Sequence, residues 1–287
     1  MTTQPFPTTP STSVSALGAA PGSPAPTLVP SRTVTLASGA TLRLAEAGSG
    51  RPVLLLHGGG GLPTVLGLAT HLGEHAHVLA PTHPGWDGTP RPESIASLAD
   101  IALLYSGLLR QLDLRDVVVV GSSLGGWIGA ELAAHDAEGR IAHLVLVDAV
   151  GIDVPGEPIT DFFALDARGV AEHSFHDSDR FFTDPATLPA AELARMGGNR
   201  TTMQALAGDP YMHDPSLRDR LRSVATPTTV VWGESDRIVT PAYGRAYADS
   251  FGTGAALVVV PAAGHLPHLE QPSATYAVLD RIVAARG

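Results

Sequence analysis

The 287-residue chain has no cysteine and no lysine, so all 18 of its basic residues are arginine. Without cysteine there can be no disulfide, no thiol nucleophile and no thiolate metal site. Without lysine, a Schiff-base mechanism, a lysine-anchored pyridoxal site and a phosphate-loop lysine are excluded as well. No apolar run approaches the ~20 residues that a membrane helix requires. The formal charge is −10 and the arginines are scattered, which disfavours nucleic acid and anionic membrane surfaces as partners. A soluble, cytoplasmic protein acting on a small molecule is expected, with no cofactor, no bound metal, and an oligomeric state on which the composition is silent.

Residues 1–31 are rich in Pro, Thr, Ser and Ala, carry no charge, and lack the large apolar groups that build a core. They are expected to form a disordered tail. They have neither the basic start nor the continuous apolar stretch of a signal peptide.

From Arg32 onward the pattern becomes regular. Residues 33–37 and 41–46 predict a hairpin around Ser38-Gly39, and residues 52–56 and 77–80 predict two further strands. Residues 142–147, 227–232 and 256–260 predict three more. Four consecutive valines, Val117 to Val120, predict a strand buried on both faces. Residues 63–72, 93–112, 124–135, 241–250 and 271–285 have helical spacing. Such alternation implies right-handed crossovers and a mostly parallel sheet flanked by helices. The rhythm breaks over residues 151–215, an aromatic-rich stretch expected to be short helical pieces forming a lid inserted after the sixth strand. The core is then residues 32–150 and 216–287.

His57, Ser123, Asp148, Asp236 and His265 each follow a predicted strand, so the topology collects them at one sheet edge. Gly121-Ser122-Ser123-Leu124-Gly125 fits the G-x-S-x-G turn that lifts a serine hydroxyl above a sheet at a helix N-terminus. A serine needs a base, usually a histidine oriented by a carboxylate. Asp236 and His265 follow Ser123 in the right chain order. Asp148 and Glu234 are rivals for the acid, and His268 is a rival for the base.

With HGGGG at 57–61, PTHPGWDGTP at 81–90, GSSLGG at 121–126, LVLVDAVG at 144–151, VVWGESDRIV at 230–239 and GHLPHLEQP at 264–272, the chain resembles the α/β-hydrolase superfamily, in its serine-nucleophile branch with a helical cap. The resemblance covers essentially everything after residue 31 except the lid. It implies Ser123 as nucleophile, Asp236 as orienting acid and His265 as general base. The backbone N–H groups of Gly59 and Leu124 would form the oxyanion hole, with the four glycines leaving the register open by one residue.

His57, Gly58, Trp86, Phe162 and Phe163 are candidate substrate contacts, while His83 is assigned to loop packing and Ser122 to structure. Arg168, Arg195 and Arg200 are weighed as carboxylate anchors against a role as solvated surface. The His75-x-His77 and His265-x-x-His268 spacings lack a third metal ligand nearby. The expected activity is that of a carboxylic ester hydrolase on a small to medium, largely apolar substrate, working through an acyl-enzyme. A carbon–carbon bond hydrolase, a thioesterase or a lactonase would use the same triad. A ligand-binding relative without catalysis is the alternative outside enzymes.

Overall fold

The computed structural model describes residues 31–285. The expected tail lies outside the described residues except for Ser31, which already opens the first strand.

Eight strands form one sheet: β1 (Ser31–Thr35), β2 (Thr41–Ala47), β3 (Pro52–Leu56), β4 (His77–Pro81), β5 (Val117–Ser122), β6 (Ile141–Val147), β7 (Thr228–Gly233) and β8 (Ala256–Val260). Their spatial order is β1-β2-β4-β3-β5-β6-β7-β8. β2 pairs antiparallel with both neighbours, and every other pairing is parallel.

The ten α-helices among the described residues are α1 (Leu66–Leu72), α2 (Leu98–Gln111), α3 (Leu124–Ala134), α4 (Ala167–Ser174), α5 (Ser178–Phe181), α6 (Ala190–Ala207), α7 (Leu217–Leu221), α8 (Pro241–Ala248), α9 (Pro267–Glu270) and α10 (Pro272–Ala284). None is long and apolar enough to cross a membrane.

The sheet is covered on both faces because its inner strands alternate between two cores. Leu54, Leu56, Val117 and Val119 point to one side, with side chains of α2, α3 and α8. Val53, Leu55, Val118 and Val120 point to the other, where Leu68, Leu72, Leu279 and Val283 of α1 and α10 meet them. The valine run is thus split residue by residue between two layers. Helix α2 starts at Leu98 rather than near residue 93, because Ser97 and Asp100 form a reciprocal capping box.

Between β6 and β7 the chain leaves the sheet. Gly151 bridges to His213, and the Asp214 N–H donates to the Gly151 carbonyl at 3.0 Å, so the two ends of the segment meet. The segment holds α4, α5 and the 18-residue α6, the last a long helix where short pieces were expected. Its N-terminal part is stitched to the loop after β8. The buried Glu270 carboxylate accepts the N–H groups of Gly264 (2.6 Å), His176 (2.9 Å) and Asp177 (3.1 Å).

Candidate active site

The turn after β5 is dictated by close backbone packing. A Cβ on Gly121 would overlap the carbonyl of Gly125, and a Cβ on Gly125 would overlap the carbonyl of Leu56. Only glycine permits both approaches. Between them Ser123 adopts φ +53° and ψ −115°, outside the regions that L-residues favour. Its N–H donates to the Val147 carbonyl at 2.8 Å, anchoring the turn to β6. The hydroxyl therefore projects at the carboxyl edge of the sheet, at the start of α3.

Two further loops converge on it. His265 Nε2 lies 2.8 Å from Ser123 Oγ, and His265 Nδ1 lies 2.8 Å from Asp236 Oδ2. The other Asp236 oxygen accepts the N–H groups of Ile238 (2.8 Å) and Val239 (3.1 Å), which fix the carboxylate plane. With Nδ1–H donating to the carboxylate, Nε2 is left to accept the serine proton. The His265 loop is held from the inserted segment as well, because the His265 N–H donates to the Ser174 carbonyl at 2.7 Å.

The rivals occupy other positions. His268 is buried, with Nε2 3.1 Å from the Thr64 carbonyl, and burial lowers its pKa to about 4. Glu234 accepts the Ala262 N–H at 3.3 Å. Asp148 comes nearest, its carboxylate clustering with Asp236 and His265. One of its oxygens accepts the Gly233 N–H at 2.8 Å, and the other has no partner among the described residues. Burial, and next the neighbouring Asp236, raise its pKa well above its ordinary value, which disfavours its charged form.

The glycine loop after β3 faces Ser123. Gly58, Gly59 and Leu124 line the cavity beside it. Leu124 is the first residue of α3, so its amide has no partner within the helix. The Gly59 carbonyl accepts the Trp86 indole N–H at 3.1 Å, and the Gly60 carbonyl accepts Arg195 at 3.1 Å and Asn199 at 3.4 Å. With these carbonyls held by donors, the loop conformation is set before any ligand arrives.

His57 and Trp86 are corrections to the expected substrate contacts, since both are fully buried and neither lines the cavity. The reason is a network beneath the loop. His57 Nε2 accepts the His83 N–H at 3.1 Å, which leaves Nδ1–H to donate to the Gly58 carbonyl at 2.8 Å. His83 Nε2–H donates to the His57 carbonyl at 2.8 Å and its Nδ1 accepts the Tyr105 hydroxyl at 2.6 Å. Burial lowers the His57 pKa to about 4 and that of His83 well below its ordinary value, so both rings are neutral.

The cavity has a volume of about 430 Å³ and is mostly apolar, with Val170, Phe175, Phe182 and Met203 among its walls. Phe162 lines it. Phe163 does not, because it packs edge-on between Phe162 and Tyr211. Of the three arginines, Arg168 lies outside the cavity, paired with Glu172 and Asp179. Arg195 lines it but is held by Glu192 and Asp87 at 2.7 and 2.5 Å. Arg200 lines it and donates only to the carbonyls of Phe162 (3.4 Å) and Phe163 (2.7 Å), with no carboxylate partner among the described residues.

Asn199 and Asp87 are missing from the expectations. Asn199 exchanges two hydrogen bonds with Asp87 at 2.7 and 2.9 Å, which docks α6 on the loop after β4. No local pattern in the sequence announces a pair separated by over a hundred residues.

A profile of the alpha/beta hydrolase family matches residues 53–278. The 2-hydroxy-6-oxo-2,4-heptadienoate hydrolase of Pseudomonas putida is 28% identical over 227 residues, covering 72% of this chain and 79% of that protein. Among solved structures, a meta-cleavage product hydrolase from Pseudomonas fluorescens superposes with a TM-score of 0.72 at 18% identity, covering 87% of this chain and 96% of that one. An esterase from Exiguobacterium antarcticum superposes with a TM-score of 0.70 at 19% identity, covering 88% and 99%.

Proposed function

The chain belongs to the alpha/beta hydrolase family, and from that premise we propose that it is a serine hydrolase that cleaves a small, largely apolar acyl substrate through an acyl-enzyme. The observation that carries this reading is the hydrogen-bonded series Ser123–His265–Asp236 opening into an apolar cavity of about 430 Å³.

Ser123 Oγ attacks the substrate carbonyl while His265 Nε2 takes its proton, and Asp236 stabilises the imidazolium that forms. The oxyanion accepts the N–H groups of Gly59 and Leu124. Loss of one such donor typically costs about 10²–10³ in rate. Collapse expels the leaving group, which takes the proton from His265. Water activated by the same imidazole then releases the acid. The inserted segment acts as a lid whose apolar walls shed water from the bound acyl chain.

A second reading is carbon–carbon bond hydrolysis of a substrate bearing a carboxylate, favoured by Arg200, a cation on the cavity wall without an acidic partner among the described residues. The similar Pseudomonas putida enzyme is a hydrolase of 2-hydroxy-6-oxo-2,4-heptadienoate, a substrate that bears a carboxylate.

Turnover of a panel of aryl esters, thioesters, lactones and vinylogous diketo acids, by wild type and Ser123→Ala, separates the two. Ester cleavage that falls by about 10⁴ or more in Ser123→Ala, with fluorophosphonate labelling at Ser123, supports the first reading. Preference for the diketo acid, lost in Arg200→Ala, supports the second. Folded protein that neither labels nor turns over any member would refute both.

A further inference from the structure

We propose that His71, His75 and Asp280 form a binding site for a divalent transition-metal ion of the zinc class, on the side of the molecule away from Ser123.

His71 is in the last turn of α1, His75 lies four residues on, and Asp280 faces both from α10. His71 Nε2 is 2.9 and 3.1 Å from the two Asp280 oxygens, and His75 Nε2 is 3.2 Å from Oδ1. One ligand atom from each residue can be chosen so that all three lie within 4.8 Å of one another. In a tetrahedral zinc site with bonds of about 2.0–2.2 Å, ligand atoms sit roughly 3.3–3.5 Å apart. Each histidine nitrogen thus needs to draw away from Asp280 Oδ1 by only a few tenths of an ångström to admit the ion in place of the hydrogen it shares with that oxygen.

The rings are presented for this. His71 stacks on Tyr276 at 4.4 Å, which holds its plane, and the His75 ring stands at 88° to it, so the two nitrogens approach from different directions. The side chains of His71, His75 and Asp280 are 27%, 43% and 37% exposed, leaving solvent access for the ion and for a water as fourth ligand. Two imidazoles and one carboxylate suit zinc, cobalt or nickel. Magnesium and calcium prefer all-oxygen shells.

The position is remote from the chemistry. Helix α1 runs back along the sheet from the glycine loop, so His71 and His75 lie just ahead of β4, at the amino edge of the strands. Arg51, ahead of β3, reaches the carbonyls of Ile282 and Val283 at the end of α10, which places that helix end at the same edge. A bound ion would clip α1 to α10, joining the segment that follows the glycine loop to the segment that follows His265. Its effect is on stability. The His75-x-His77 spacing weighed from the sequence is not the one the fold uses, since His77 turns toward Glu46, 3.8 Å away.

Calorimetric titration of untagged, chelator-treated protein with zinc chloride tests the site, with magnesium chloride as comparison. One zinc per chain, a raised melting temperature and no response to magnesium are expected. His75→Ala, at an exposed position, and Asp280→Asn, a near-isosteric change at a half-buried one, should each weaken zinc binding by at least about tenfold while leaving the metal-free melting curve and circular dichroism close to wild type. Replacing zinc by cobalt should give visible absorption that His75→Ala loses. Absence of saturable one-to-one binding, or binding and stabilisation undiminished in both variants, would overturn the proposal.

Discussion

Ser123 carries a backbone cost along with its hydroxyl. Its φ of +53° with ψ of −115° is the kind of conformation that costs an L-residue about 1–3 kcal/mol, and its neighbours hold it there because β5, α3 and the Val147 carbonyl leave the turn no other path. Glycine takes up that geometry without strain. At ordinary positions glycine is less stable than alanine by roughly 0.5–1 kcal/mol. At residue 123 the order should reverse, with Ser123→Gly more stable than Ser123→Ala by about 1 kcal/mol, both being inactive. Urea unfolding of the two variants, with equal m-values, measures the difference. The usual order would show that the strain is relieved when the side chain is removed. His57 shows the opposite relation between residue and role. Its type and position match a substrate contact, yet its two ring nitrogens are committed to the His83 amide and the Gly58 carbonyl, which makes it a support for the glycine loop.

Helix α6 decides the shape of the cavity, contributing Arg195, Asn199, Arg200 and Met203 to its wall. It does so across Gly197-Gly198, a weak point for a helix, since each glycine costs about 0.8–1 kcal/mol relative to alanine. A Cβ on Gly198 would meet nothing within 4 Å. Gly198→Ala should accordingly raise the unfolding free energy by about 0.5–1 kcal/mol, visible as a higher thermal midpoint. A lower midpoint would mean that α6 bends at the glycines in the folded protein. The glycine pair also hid the helix from a sequence reading. Leu193 and Met196 are exposed and only its C-terminal half buries apolar residues such as Met203 and Leu206, so no continuous apolar stripe marks the element. Helix α2 was legible in its interior for the converse reason, with Ile101, Ala102, Tyr105, Leu108 and Leu109 buried along one face. Only its start was misplaced, because the Ser97–Asp100 capping box outweighs the apolar spacing before it.

The whole molecule stores an acid response in its buried histidines. Burial lowers His57 and His268 to about 4 and His83 well below its ordinary value. The unfolded chain takes up protons on these rings near pH 6.5 and the folded chain does not, so stability is full above that pH and falls as pH drops toward 4. Asp148 and Glu131, raised by burial, titrate in the opposite sense. The lowered imidazoles outnumber the two raised carboxyls, so stability should be lower at about pH 5 than at about pH 7. Urea midpoints at about pH 7 and about pH 5 check this. A rise in stability on acidification would mean that the rings are charged inside the fold. The sequence alone determined the sheet and the order of Ser123, Asp236 and His265 along its edge, because alternating burial along strands and the glycines of a tight turn are local requirements written in consecutive residues. Which side chains reach the cavity, which cavity arginine lacks a carboxylate partner among the described residues, and which histidines meet Asp280 were decided only by the tertiary structure. Each depends on groups distant in the chain competing for the same hydrogen bonds and the same space, and no spacing between neighbours records the outcome of that competition.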